Sequence, residues 1–363
     1  MKLRVLLDGT GIRCGGKGVS RFQGELFHRL IDSDTRLDYV CALTQDGELL
    51  SGIESDRVVP VSITSQIRWA QYELPALARR LGADIIYTTA EFTSLWGPRT
   101  VSHIFEIPDV RAGLNQESVL RDRLSKHVAT RIFPRSLHRA AEIVTSTKVI
   151  AEQLAQQFGL NVEQIHVVPL GVSPELFFPA GLPRSILFHL GSSDPRDGTL
   201  LVCEAYIRAR RMRSDMPRLV VAGDLGDVMA PSLCSRSSCL LSSAVTFVGR
   251  VDDDRLREFY SSARLCIQPS AYEGFGLQPL EAIACGAPTL VFNDPSVIEV
   301  LGDAAITMTS RDPDVMAREI LRALDDPHGC HRATLLGLDR VREFSWDTTA
   351  RMISNVLFHV SQS

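Results

Sequence analysis

Short apolar runs alternate with segments whose apolar residues recur at helical spacing, and this alternation constrains the chain more than any other feature. Buried parallel strands read as near-continuous apolar runs and the helices between them as amphipathic stripes, so the pattern is that of βα units around parallel sheets. A first series predicts strands near Leu3–Leu7, Tyr39–Leu43, Asp84–Tyr87, Thr100–Phe105 and Ile143–Thr145. Between the first two, Val19, Phe22, Leu26, Phe27, Leu30 and Ile31 form a stripe of helical period. A second series begins at Ile186–Leu190 and continues through Leu219–Ala222, Val245–Val248, Leu265–Ile267, Thr289–Phe292 and Ala305–Met308.

A chain of 363 residues is too long for one ordinary core. The stretch from Val167 to Pro174, followed by Pro179 and Pro183, punctuates it near the middle as a linker would. The expectation is an α/β protein of two doubly wound, Rossmann-like domains in tandem. Ligands of such sheets bind at the carboxyl ends of the strands, so domains facing each other would hold a site in the cleft between them.

A formal net charge of -4 argues against a general nucleic-acid binder, which needs a basic field over its surface. One local exception spans 121–139, where Arg121, Arg123, Lys126, Arg131, Arg135 and Arg139 face only Asp122. Two readings stand: a solvated helix face, or a surface for a phosphate-bearing acceptor or an anionic membrane. The eight cysteines are scattered, without a CxxC pair or zinc-finger spacing, and read as reduced. The N-terminus runs straight into a strand pattern, and no segment offers about eighteen uninterrupted apolar residues. A cytoplasmic location is the expectation.

The most informative stretch runs from Ser270 to Pro288, after a predicted strand and into a predicted helix. Gly274-Phe275-Gly276-Leu277 would turn the chain at the helix start, where free backbone amides and the helix dipole favour an anion such as a diphosphate. Glu273 precedes the turn and Glu281 lies eight residues later, so their carboxylates could flank a ligand and accept hydrogen bonds from its hydroxyls. On spacing alone the plainer reading stays ahead, in which Glu281 caps or pairs locally and the glycines only make a tight turn.

The segment resembles the E-x7-E signature of glycosyltransferase family 4, whose members are retaining enzymes of the two-domain GT-B fold. The resemblance implies that Glu273 contacts the donor sugar, that Glu281 holds the nucleotide ribose, and that Gly274, Phe275, Gly276 and Leu277 face sugar and diphosphate. It extends along most of the chain: Gly249-Arg250-Val251 resembles the element beside the nucleotide base, and the segment from Phe344 to Arg351 resembles the start of the last helix. The implied domains are 1–172, binding acceptor, 185–345, binding the donor, and 346–363, a helix that crosses back to the N-terminal domain.

Near the N-terminus, Gly15, Gly16, Lys17 and Gly18 form a Gly-rich loop that could approach acceptor or phosphate closely. It is not a P-loop, since Gly18 stands where Ser or Thr should hold magnesium. The chain also departs from the family pattern. Ser192 and Asp197 occupy the places of a basic pair facing the diphosphate, which leaves Arg196 either as the compensating cation or as a solvated loop arginine. A His-Asp pair is usual after the fourth strand; here His103 and Glu106 are the candidates, with His103 equally readable as a packed strand residue.

The function implied is transfer of a sugar, with retention, from a nucleotide-diphosphate donor to an acceptor hydroxyl. No metal or other cofactor is expected, because no Asp-x-Asp cluster is placed to bridge a diphosphate through a cation. UDP, GDP, ADP and dTDP all stay open as the nucleotide. So do small-molecule, oligosaccharide and lipid-linked acceptors. Two alternatives remain: a non-catalytic partner protein that binds nucleotide, and a nucleotide-sugar epimerase of the same fold.

Overall fold

The computed structural model describes residues 2–12, 18–44, 54–90, 93–107, 131–225 and 244–362. The chain divides into two compact units, one of residues up to Gly171 together with those from Phe344 onward, the other Val172–Glu343.

The first unit holds β1 (Arg4–Asp8), α1 (Val19–Ser33), β2 (Asp38–Thr44), β3 (Val58–Val61), α2 (Leu74–Arg80), β4 (Ile85–Thr88), β5 (Arg99–Ile104), β6 (Glu142–Thr145), α3 (Lys148–Phe158) and β7 (Ile165–Val167). Its seven-stranded sheet has the order β3-β2-β1-β4-β5-β6-β7, and every neighbouring pair is parallel. Leu6, Val40 and Ile86 pack on one face against Trp69, Leu74, Leu77 and Ala78. On α1, Phe22 and Phe27 are fully buried and meet His103 and Tyr87 edge-on.

The second unit holds β8 (Ile186–Leu190), α4 (Thr199–Met212), β9 (Arg218–Ala222), β10 (Val245–Gly249), α5 (Asp253–Ser261), β11 (Ala263–Gln268), α6 (Leu277–Ala284), β12 (Thr289–Phe292), α7 (Pro295–Leu301), β13 (Ala305–Met308), α8 (Pro313–Asp325) and α9 (Pro327–Arg340). Its six strands are all parallel, in the order β10-β9-β8-β11-β12-β13. Pleat alternation sends Leu265 and Ile267 into a core with Val202, Tyr206, Met316 and Ile320. The opposite face carries Phe188, stacked on Phe259 at 5.3 Å and edge-on to Tyr260.

The last helix, α10 (Trp346–Gln362), packs on α1. Arg29 Nε meets Asp347 Oδ1 at 2.8 Å, and Thr349 Oγ1 donates to Pro169 O at 2.7 Å. Gly171 makes the approach possible, since a Cβ there would lie 2.2 Å from the backbone nitrogen of Trp346. Among the described residues no helix is long and apolar enough to cross a membrane. The described cysteines (41, 203, 266, 285 and 330) are free thiols.

Candidate functional site

In the second sheet the strand order reverses between β8 and β11, which opens a crevice at the carboxyl ends of those strands. The backbone is drawn tight beside it. Gly223, at φ 119°, lies so close to the loop after β8 that a Cβ would sit 1.8 Å from Gly191 O. Its nitrogen donates to Gly249 O at 2.8 Å, so the ends of β8, β9 and β10 are held together by main chain.

The loop after β11 carries Glu273 and leads into α6. Gly276 is the N-cap of that helix, in a left-handed conformation of φ 85° and ψ 50°, and no side chain caps the helix. Helix geometry leaves the N–H groups of Leu277 and Gln278 without an intrahelical acceptor, while Pro279, next in line, has none to satisfy. The other end is served: Gly286 O accepts from Arg184 Nη2 and from Thr334 Oγ1 at 3.3 Å. The Arg184 guanidinium therefore answers the negative end of the dipole, whereas no side chain caps the positive end. This arrangement suits an anion.

Glu281 lies in the second turn of α6 and is 2% exposed, whereas Glu273 is half-buried in the loop. A carboxylate buried this deeply is costly unless hydrogen-bond donors hold it. Its charge adds to burial in pushing the Cys285 thiol up to about 12. The structure thus places a turn, a helix start and both glutamates on one continuous segment at the crevice.

Arg196 is a correction. Its guanidinium forks onto Asp194, Nε at 3.0 Å and Nη2 at 2.8 Å from Oδ2, so its charge is answered two residues away. Asp197 pairs instead with the Ser192 hydroxyl. What Arg196 contributes is its carbonyl oxygen, which accepts from Ala271 N at 3.0 Å and from Arg311 Nη2 at 2.9 Å. Arg311 follows β13 and lies 115 residues from Arg196 in sequence, and no motif spacing points to it. Arg250 is exposed and paired with Asp224 at 2.6 Å; Gly249, at φ 70°, is exposed beside it, and Val251 is half-buried.

His103 is the second correction. It is fully buried in β5, with Nδ1 2.7 Å from Tyr87 Oη and Nε2 3.3 Å from Ser146 Oγ, and its ring stacks on Phe105 at 4.3 Å. Burial pushes it down to about 3, so it is a neutral core residue rather than a proton carrier. Glu106 lies just past β5 and is half-buried. Gly18 caps α1 at φ 57°, while Gly15, Gly16 and Lys17 lie outside the described residues, as do Arg121, Arg123 and Lys126.

At the first sheet's own reversal, between β1 and β4, the end of β1 is occupied by Asp8. Asp8 is 2% exposed and accepts from Thr10 Oγ1 and Thr88 Oγ1 at 2.7 Å each and from Trp69 Nε1 at 3.1 Å. It anchors the loops around it. Among the described residues no group of three or more His, Cys, Asp or Glu could hold a metal ion. Asp252 instead caps α5, accepting from Arg255 N at 2.8 Å.

Residues 175–335 match the model of the family Glycosyl transferases group 1, a stretch that contains the crevice, Glu273 and Glu281. Through this stretch, which is under half of its length, the chain is similar to the group 1 glycosyl transferases. Among similar proteins, O-antigen chain mannosyltransferase B of Escherichia coli is 32% identical over 245 residues, covering 62% of this chain and 63% of that one. The match to that relative thus spans less than two thirds of its length. The fold of the whole chain is that of GT-B glycosyltransferases. WaaG, a glycosyltransferase involved in lipopolysaccharide biosynthesis, superposes with a TM-score of 0.77 at 15% identity, over 97% of this chain and 99% of WaaG. HepE of Anabaena, solved in complex with UDP-glucose, gives 0.72 at 16% identity over 99% and 100%. The crevice of the second unit lies within the matched stretch and is the candidate functional site.

Proposed function

We propose that the chain is a retaining glycosyltransferase, similar to those of family 4, that takes a hexose from a nucleoside-diphosphate donor without a metal ion. The observation that carries this reading is the uncapped start of α6 behind Gly276, at the point where the second sheet reverses its strand order. Amides there would hold the diphosphate, Glu281 the ribose and Glu273 a hydroxyl of the sugar.

As the diphosphate leaves, positive charge grows on the sugar ring and negative charge on the phosphate. Fixed amide dipoles and the α6 dipole would stabilise that phosphate without reorganising, and the leaving phosphate would take the acceptor's proton. Since Arg196 is held by Asp194, its side chain has no part in this scheme. UDP-glucose bound to HepE and the mannosyltransferase name of the Escherichia coli relative support a hexose donor.

The test is thermal shift with UDP, GDP, ADP and dTDP. A nucleotide at a hundred times its dissociation constant stabilises by about 2.7 kcal/mol. A shift with one of the four that Glu281→Ala abolishes supports the reading, and no shift with any of them refutes it.

A further inference from the structure

The reversal point of the first sheet carries a buried amide that the proposed donor site does not use. Gln23, in the second turn of α1, is 1% exposed, and its Nε2 donates to Asp8 O at 2.8 Å and to Thr89 Oγ1 at 2.7 Å. Asp8 ends β1 and Thr89 follows β4, so the amide spans the two strands between which the strand order reverses. A backbone carbonyl only accepts, which fixes the nitrogen on Asp8 O and makes Oε1 the atom on the other side.

Oε1 is buried and has no donor among the described residues. An acceptor so placed is costly to keep unless a hydrogen reaches it from outside the chain. Gly11 lies against it, since a Cβ there would sit 2.6 Å from Oε1. Gly11 and Thr89 are both half-buried, so the surface comes up to the two residues that border this amide. Thr89 Oγ1, having accepted from Gln23, still has its own hydrogen to give.

The groups around the amide select among ligands. The Asp8 carboxylate already takes hydrogens from Thr10 Oγ1, Thr88 Oγ1 and Trp69 Nε1, and its negative charge disfavours an anion beside it. An ammonium could satisfy Oε1 but could not accept from Thr89, whereas a single hydroxyl does both. The carboxyl edge of a parallel sheet, at its reversal point, is also where such a ligand has room to bind.

We infer that this point is a subsite for an uncharged sugar ring, one hydroxyl of which donates to Gln23 Oε1 and accepts from Thr89 Oγ1. Resting on the function proposed above, which gives the diphosphate to the second unit, the ring is that of the acceptor. The acceptor then presents a neutral sugar here rather than a phosphate or an amine. Gln23 and Thr89 select it by one hydroxyl, and Gly11 keeps the space before them open.

The experiment is saturation-transfer NMR titration of the full chain, without nucleotide, with methyl α-mannopyranoside, methyl α-glucopyranoside, mannose 6-phosphate and glucosamine. At least one methyl glycoside should bind, and the phosphate and the amine should bind no more tightly. Thr89→Val keeps the shape of its side chain, and Gly11→Ala is open to the backbone because Gly11 has no positive φ. Each should weaken glycoside binding about fivefold to tenfold, the size of one neutral hydrogen bond, with the melting of Thr89→Val unchanged. Among the monodeoxy forms of the glycoside that binds, one should bind wild type more weakly by the same factor, yet bind Thr89→Val as its parent does, a pattern that a packing role would not produce. No binding of either methyl glycoside, tighter binding of the phosphate or the amine, binding that survives either variant, or a deoxy series that wild type and Thr89→Val read alike would overturn the proposal. The probes carry no nucleotide, so failure here leaves the donor-site test standing, and failure there leaves this subsite standing.

Discussion

Arg311 Nη2 donates to the carbonyl oxygen of Arg196 at 2.9 Å, and the same oxygen accepts from Ala271 N at 3.0 Å. One carbonyl thus ties together the loops that follow β8, β11 and β13. The loop so held is the one that presents Glu273 and the start of α6. Replacing Arg311 should free it. For Arg311→Ala we expect nucleoside-diphosphate affinity to fall about tenfold or more, the size of one charged hydrogen bond. Arg311→Lys should recover part of it. Titration calorimetry checks this, and equal affinities in all three proteins would assign Arg311 to stability alone.

Glu281→Gln keeps the shape of a buried side chain while removing its charge. Its melting temperature should stay close to wild type, whereas kcat/KM should drop by about tenfold to a hundredfold through loss of a charged hydrogen bond to the ribose. Glu273→Gln should instead lower kcat more than it raises KM, because the sugar contact tightens as the transition state forms. Steady-state kinetics of the two variants separate these roles.

Gly276→Ala adds a Cβ at φ 85°, 3.2 Å from both Pro279 and Val297 side-chain atoms. The left-handed conformation alone costs about 1–2 kcal/mol for an L-residue. A lowered Tm together with a loss of nucleotide binding beyond that of an equally destabilised core variant is expected. Unchanged binding would show that the turn need not be held open.

His103 and His189 are both fully buried, and burial pushes them down to about 3 and about 4. Each takes up its proton at higher pH when unfolded, near 6.5. Their contribution to stability is therefore complete above about pH 6.5 and drains away as pH falls toward the folded values. Denaturant titrations between pH 7 and pH 4 should show this slope, and His103→Asn should flatten it. Because His103 stays neutral, the kcat/KM profile between pH 6 and pH 8 should show no inflection belonging to it. An inflection in that window removed by His103→Asn would restore it to the active site.

Chelation gives a further check. The proposed donor site relies on amides and the helix dipole rather than a cation, so EDTA should leave turnover and nucleotide affinity unchanged. A strict magnesium requirement would count against the scheme.

The parts legible in the sequence are those fixed by burial and local turn chemistry. β8 reads as Ile186-Leu187-Phe188-His189-Leu190 because a strand buried on both faces is apolar throughout, and β9, β11 and β12 stood out for the same reason, whereas the edge strands β10 and β13 are only partly buried. β3 was hidden because Pro60 interrupts it, a residue tolerated there only because β3 is an edge strand paired to β2 alone. The turn at Gly276 could be read from glycines before a helical stripe. The fate of Arg196 could not, since its pairing with Asp194 depends on a backbone turn that spacing does not specify. Alternation left the face of His103 open, and Asp8 and Arg311 act through partners dozens of residues away, which no local pattern records.

The most direct measurement is a crystal soaked with the nucleoside diphosphate that shifts melting. The account predicts the diphosphate within hydrogen-bond distance of the amides of Leu277 and Gln278, and the ribose hydroxyls on Glu281. A nucleotide bound elsewhere, with this helix start left to solvent, would contradict it.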